Sequence, residues 1–246
     1  MFKKAVLLIA VALLAAVAGS ALAATPEEMI AQADQLYAER ADVAKAEQAA
    51  QLYEQALAAD PRSEDAAWKL ARTEYYLGNK APKDQKEAIF QKGVDAAKKA
   101  VAINPKSVPG HFWLGVCYGV YGNAKGIMSS LSLVDPIKEE METVLKLDPN
   151  YEGGGPQRVL GRLYFKLPGL MGGDNDKAVA YLQEAIKLGP TRWLNQLYLA
   201  EVYADLGKKD EAKALLEQVI AGPAPQGLEP EYQDWKALAE KQLKEL

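Results

Sequence analysis

The stretch AVAYLQEAIKLGP, residues 178–190, sets a small residue at Ala178, a large apolar one at Leu182 and a second small one at Ala185. Spacings of four and seven bring all three onto one face of a helix. Gly189-Pro190 then ends the helix, because the residue before a proline avoids the α region and proline has no N–H to donate. The same frame recurs upstream as AAQLYEQALAADP (49–61), GVDAAKKAVAINP (93–105) and IKEEMETVLKLDP (137–149). A second apolar pattern alternates with it: WKLARTEYYLG (68–78), FWLGVCYGVYG (112–122), RVLGRLYFKLPG (158–169) and LYLAEVYADLG (197–207). In each, a Leu precedes a small residue (Ala71, Gly115, Gly161, Ala200) that lets a neighbouring helix come close. A Gly follows that Leu by eight residues in three of them, and Pro168 takes the place in the fourth.

Paired helices repeating at about 34 residues are the tetratricopeptide (TPR) pattern. The expected fold is all-α, a right-handed solenoid of helix–turn–helix units with extended loops between the first (A) and second (B) helix. Five units fit, at about 27–61, 64–105, 108–149, 154–190 and 193–222. Residues 223–246 read as a linker and a C-terminal capping helix, whose charged outer face ends the stack in water.

Successive prolines at the ends of the B helices lie 44, 44 and 41 residues apart, longer than the repeat requires. The additions fall between A and B helices, over 79–86, 123–136 and 167–176. Insertions in adjacent repeats emerge on one side of a solenoid. Two readings stand: loops that bind or assemble, with Asn123, Lys125, Gly126, Leu167, Pro168, Gly169, Gly172, Gly173 and Asp174 as their carriers, or additions that only lengthen helices. Asp174 and Asp176 also suit the start of the helix near Lys177, where carboxylates satisfy free N–H groups.

Residues 1–23 have the form of a cleavable export leader. Lys3 and Lys4 precede an unbroken apolar run from Ala5 to Ala18, and Ala21-Leu22-Ala23 forms a small-residue cleavage site. That run is short for a membrane span, although retention as an anchor stays open. The expected location is the bacterial periplasm, and loss of the leader takes the formal charge from −4 to about −6.

An acidic chain without a dense basic run is poorly suited to nucleic acid. Cys117 is the single cysteine, so no intrachain disulfide forms. His111 is the single histidine, which excludes multi-histidine zinc sites. Six residues apart on a helix, His111 and Cys117 do not share a face. The glycine-rich segments lack the Gly-Lys-Ser/Thr ending of a phosphate loop, and DNDKAVAYLQE misplaces the glycine and glutamate of a calcium loop. Catalytic residues, metal ligands and cofactors are therefore not expected.

In this repeat class the concave groove is lined by A-helix positions i, i+4 and i+7. These are Trp68, Arg72 and Tyr75; Phe112, Val116 and Gly119; Arg158, Arg162 and Phe165; and Leu197, Glu201 and Ala204. Alternating arginines and aromatics suit an amphipathic organic anion or a peptide with a carboxylate. The other reading is that the aromatics are core and the arginines a solvated face.

His111 to Ile186 resembles the T-component family associated with TRAP transporters, through GNAKG (122–126), DPIKEEME (135–142) and LGRLYFKLPGLMGGD (160–174). The same part bears a weaker similarity to the regulator of microtubule dynamics family, which shares an extended third repeat. The first resemblance implies a periplasmic protein that self-associates, as a trimer, and pairs with a solute-binding protein delivering small organic acids or apolar ligands. The alternative is an envelope protein–protein adaptor with no small-molecule ligand.

Overall fold

The computed structural model describes residues 24–246; the leader reading falls on residues outside them. Among the described residues there are helices and turns and no strand. Five helix pairs follow in order. They are α1 (Pro26–Ala38) with α2 (Val43–Ala59), α3 (Glu64–Lys80) with α4 (Lys86–Ile103), and α5 (Val108–Lys125) with α7 (Val134–Leu147). Then come α8 (Gly155–Lys166) with α9 (Asn175–Leu188), and α10 (Trp193–Asp205) with α11 (Lys209–Ala221). The short α6 (Ile127–Ser132) sits inside the third pair, and α12 (Glu229–Glu245) follows the last. Each helix packs on its predecessor and successor, as in a TPR solenoid.

Local chemistry explains where helices start and stop. Thr25 and Glu28 form a reciprocal capping box at α1, and Ser63, Ser107 and Asp174 accept bonds from N–H groups in the first turns of α3, α5 and α9. The residues before Pro61, Pro105 and Pro149 take extended backbone and close α2, α4 and α7. Interhelical contacts are close because small residues face large ones. A Cβ at Gly78 would lie 2.2 Å from the Phe90 ring, and one at Gly161 would lie 2.7 Å from Leu182 Cγ. Tyr53, Leu70, Met141, Leu160, Leu182 and Leu216 are core residues set among buried alanines.

The three insertions meet different fates. In the second repeat the addition is split, since α3 runs to Lys80, residues 81–85 form a turn and α4 begins at Lys86. In the third, α5 continues to Lys125, and Gly126, at φ 122°, turns the chain into α6. In the fourth the addition is an open loop with one 3-10 turn, Gly169–Met171. Its tip is solvated: Leu170 is fully exposed, as are Ile127 and Met128 for the most part on α6.

The C-terminal helix does more than end the stack. It packs on α10 and α11 through Tyr232 and Ala239. On its other side Glu231 and Asp234 reach across to Arg40 and Lys80 of the first two repeats. The two ends of the solenoid thus meet.

Candidate functional site: an arginine-lined central cavity

Because the ends meet, the concave face becomes the wall of a cavity of about 1280 Å³. The wall starts at Tyr37, at the end of α1, and Arg40 just beyond it, passes through α3, α5, α8 and α10, and returns through Leu228, Glu231 and Trp235. Arg72, Tyr75, Phe112, Val116, Gly119, Arg158 and Arg162 stand in it, as do the loop residues Asn123, Gly126, Leu167 and Pro168.

Five groove positions do not reach the wall. Trp68 lies behind Arg72, whose guanidinium is 5.1 Å from its ring, and its indole N–H donates to Asp65. Phe165 packs into the cluster of Ala178, Leu182 and Leu199. Leu197 and Ala204 belong to the core beneath α10. Glu201 stands behind Arg162 and Lys166 and pairs with both. On α10 Leu194 and Tyr198 face the cavity instead, so the i, i+4, i+7 stripe of that helix is turned away from it. Lys125, Gly169, Gly172, Gly173 and Asp174 likewise lie outside the wall; Lys125 bonds Tyr121, and Asp174 caps α9.

Charge is unevenly distributed in the wall. Six cations line it (Arg40, Arg72, Arg158, Arg162, Lys166 and Arg192) against two carboxylates, Glu152 and Glu231. Four of the six have acidic partners. Arg40 holds Glu231 with a fork, Nε to Oε1 at 2.8 Å and Nη2 to Oε2 at 2.6 Å. Arg192 pairs with Glu152, while Arg162 and Lys166 share Glu201. Burial opposes the charge on Glu201, yet the two cations hold its carboxyl below the ordinary range.

Arg72 and Arg158 differ from the rest. Among the described residues neither has a carboxylate partner. Arg158 is 9% exposed, and its Nη1 donates to Asn195 Oδ1 at 2.9 Å. Burial lowers its pKa, which is the desolvation of an uncompensated guanidinium. Arg72 lies 4.0 Å from the Tyr37 ring centre, and its buried Nε has no hydrogen-bond acceptor. Ring faces stabilise such a cation by about 1–2 kcal/mol, less than a missing counter-charge. Tyr75 and Trp113, with ring centres 5.5 Å apart, supply apolar wall beside them. A site of this kind favours an anionic group with an apolar body.

The stripe rule missed Tyr37, Arg40, Trp113, Glu152, Arg192, Tyr198, Glu231 and Trp235. It also missed Asn195, fully buried, which donates to the carbonyls of Gly153, Ala185 and Gly189 while holding Arg158. An Asn inside the apolar run WLNQLYLA was its one signal. His111 and Cys117 are off the wall. The imidazole lies between Glu140, 2.5 Å away, and the Pro105 carbonyl, and the thiol is buried against Ala71.

Residues 29–171 match the family described as regulator of microtubule dynamics protein 1-3. The chain belongs to this family. Residues 170–241 match a tetratricopeptide-repeat family. Regulator of microtubule dynamics protein 1 of Bos taurus is 27% identical over 218 residues, which cover 80% of this chain and 66% of that protein. The Mus musculus protein is also 27% identical, covering 80% and 68%. The chain spans about two thirds of the length of these relatives. A thermophilic TPR protein of Thermus thermophilus superposes with TM-score 0.66 at 24% identity, covering 89% of this chain and all of that one. The Pseudomonas aeruginosa pilF protein gives 0.55 at 16%, covering 89% and 92%. At these identities the structures show the shared fold alone. Stacked repeats of this fold build an extended concave face.

Proposed function

We propose that this chain is a non-enzymatic, periplasmic TPR protein that holds an amphipathic organic anion in its central cavity and serves solute uptake as a T-component-like accessory. One observation carries the ligand: Arg72 and Arg158 face the cavity beside aromatic rings and have no carboxylate of their own. A buried charge of this sort is expensive unless something completes it. The T-component resemblance of residues 122–174 and the leader form of residues 1–23 support the periplasmic role over the cytoskeletal one in the relatives' name. Exposed Ile127, Met128 and Leu170 on the inserted turns support self-association, as a trimer, or docking of a solute-binding protein. An extended peptide running along the groove is less well accommodated, because the Arg40–Glu231 contact closes its path.

Native mass spectrometry of the protein purified gently from periplasm tests this reading. The expected species is a trimer carrying an organic acid, and Arg158→Met should lose the acid while remaining folded. A bare monomer in the wild type would overturn the proposal and leave an adaptor for protein partners.

A further inference from the structure

We infer that the Arg40–Glu231 and Lys80–Asp234 contacts form a latch that gates the cavity, carried on a strap, residues 222–235, that moves with the last repeat and α12 as one jaw. The inference rests on the reading of the cavity as a ligand site. The strap crosses between the last repeat and the first two, and Pro225, Gly227, Leu228, Glu231 and Trp235 line the cavity from it. Its attachment is unequal at the two ends. On the C-terminal side α12 packs helix to helix on α11 and α10. On the N-terminal side no helix of the first two repeats packs against it, and long side chains alone span the gap.

Those side chains are built as a fastening. Arg40 is 4% exposed and lies over the Tyr37 ring at 4.7 Å, so its guanidinium is held before Glu231 arrives. Its own carbonyl accepts from Tyr76 at 2.7 Å. Nη2 also donates to the carbonyl of Gly227, which sits at φ 75° in the strap. Lys80 meets Asp234 at 2.6 Å nearer to solvent. The strap itself is tied to the last repeat, since the Trp193 indole N–H donates to the Pro223 carbonyl at 2.8 Å and the Tyr232 hydroxyl to that of Gly222 at 2.5 Å. Moving the strap together with the last repeat away from the first two repeats breaks two ion pairs and one carbonyl contact and keeps the Tyr232 packing on α11. Neutralising either partner removes such a pair, and salt screens the more exposed Lys80–Asp234 pair more than the largely buried Arg40–Glu231 pair.

The test uses the full chain with spin labels at Glu47→Cys and Glu240→Cys; Cys117 is buried and takes no label. Wild type in low salt should show one narrow distance. Glu231→Gln with Asp234→Asn, and separately the wild type in 1 M KCl (a salt at which the screening length is about 3 Å), should add a longer population. In parallel, stopped-flow exchange of the fluorescent apolar sulfonate 1-anilinonaphthalene-8-sulfonate should quicken at least tenfold in both directions in the double variant. An unchanged distance distribution in the variant and in salt overturns the latch. A lengthened distance with unchanged dye exchange overturns its role as a gate. Absence of saturable dye binding that depends on Arg158 in the closed wild type overturns the cavity reading instead.

Discussion

Two buried ionisable residues show how little of a residue's role lies in its type. Glu74 faces inward from α3, 3% exposed, and burial raises its carboxyl from the ordinary 4.5 to about 7. Lys92 pulls this value down without restoring it. The folded state therefore binds a proton between those pH values that the unfolded chain has released. Stability from this group is present in acid and is lost as pH rises toward 7. Glu74→Gln should stabilise the fold above pH 8 by about 3 kcal/mol, at 1.4 kcal/mol per unit, with no gain below pH 4.5. Melting temperatures measured across pH check this, and a gain that is flat with pH would contradict it. Arg158 belongs to the opposite class, since its charge stays and its environment lacks a counter-ion. The helix periodicity singled out Arg158 as a groove position and gave no sign of Glu74.

At the scale of helices, the small residues of the repeat are spacers. Gly161 on α8 lies where a side chain would meet Leu182 and the Ala178 carbonyl of α9. Gly161→Val should cost about 1–3 kcal/mol through overpacking, read as a lower urea midpoint with the helical circular dichroism kept. An unaffected midpoint would show that α8 and α9 can separate freely. The helix pattern was legible because periodicity is local: four residues along the chain are one turn in space. The inserted turns were less legible. Extra residues can extend a helix, as at Lys80, or loop out, as at Gly169–Met171, and the choice depends on what the neighbouring helix offers for packing.

The whole molecule departs from a simple stack. In an open solenoid each repeat feels only its neighbours. Here residues 191 apart in sequence, Arg40 and Glu231, share a buried ion pair. The first and last elements should then support one another. Hydrogen exchange should show that Glu231→Gln lowers protection of α1 and α2 amides while those of α4 and α9 keep theirs. Equal protection in both proteins would mean that the ends fold independently. The closure also decides what the concave face is, since the contact between the two ends turns an open groove into a partly enclosed cavity.

The sequence by itself determined the repeat, the number of helix pairs, the caps, the proline stops and the small-residue contacts, because each arises between residues within a turn or a repeat of one another. It also marked Arg72, Tyr75, Phe112, Arg158 and Arg162 as facing one surface, by the same local rule. The tertiary structure alone decided which of them share a cavity, and it alone brought Tyr37, Arg40, Glu231 and Trp235 into the wall. The reason is geometric: where the two ends of a solenoid arrive is the sum of small tilts over every repeat, set by side-chain volumes at each interface, and no single stretch of sequence carries that sum.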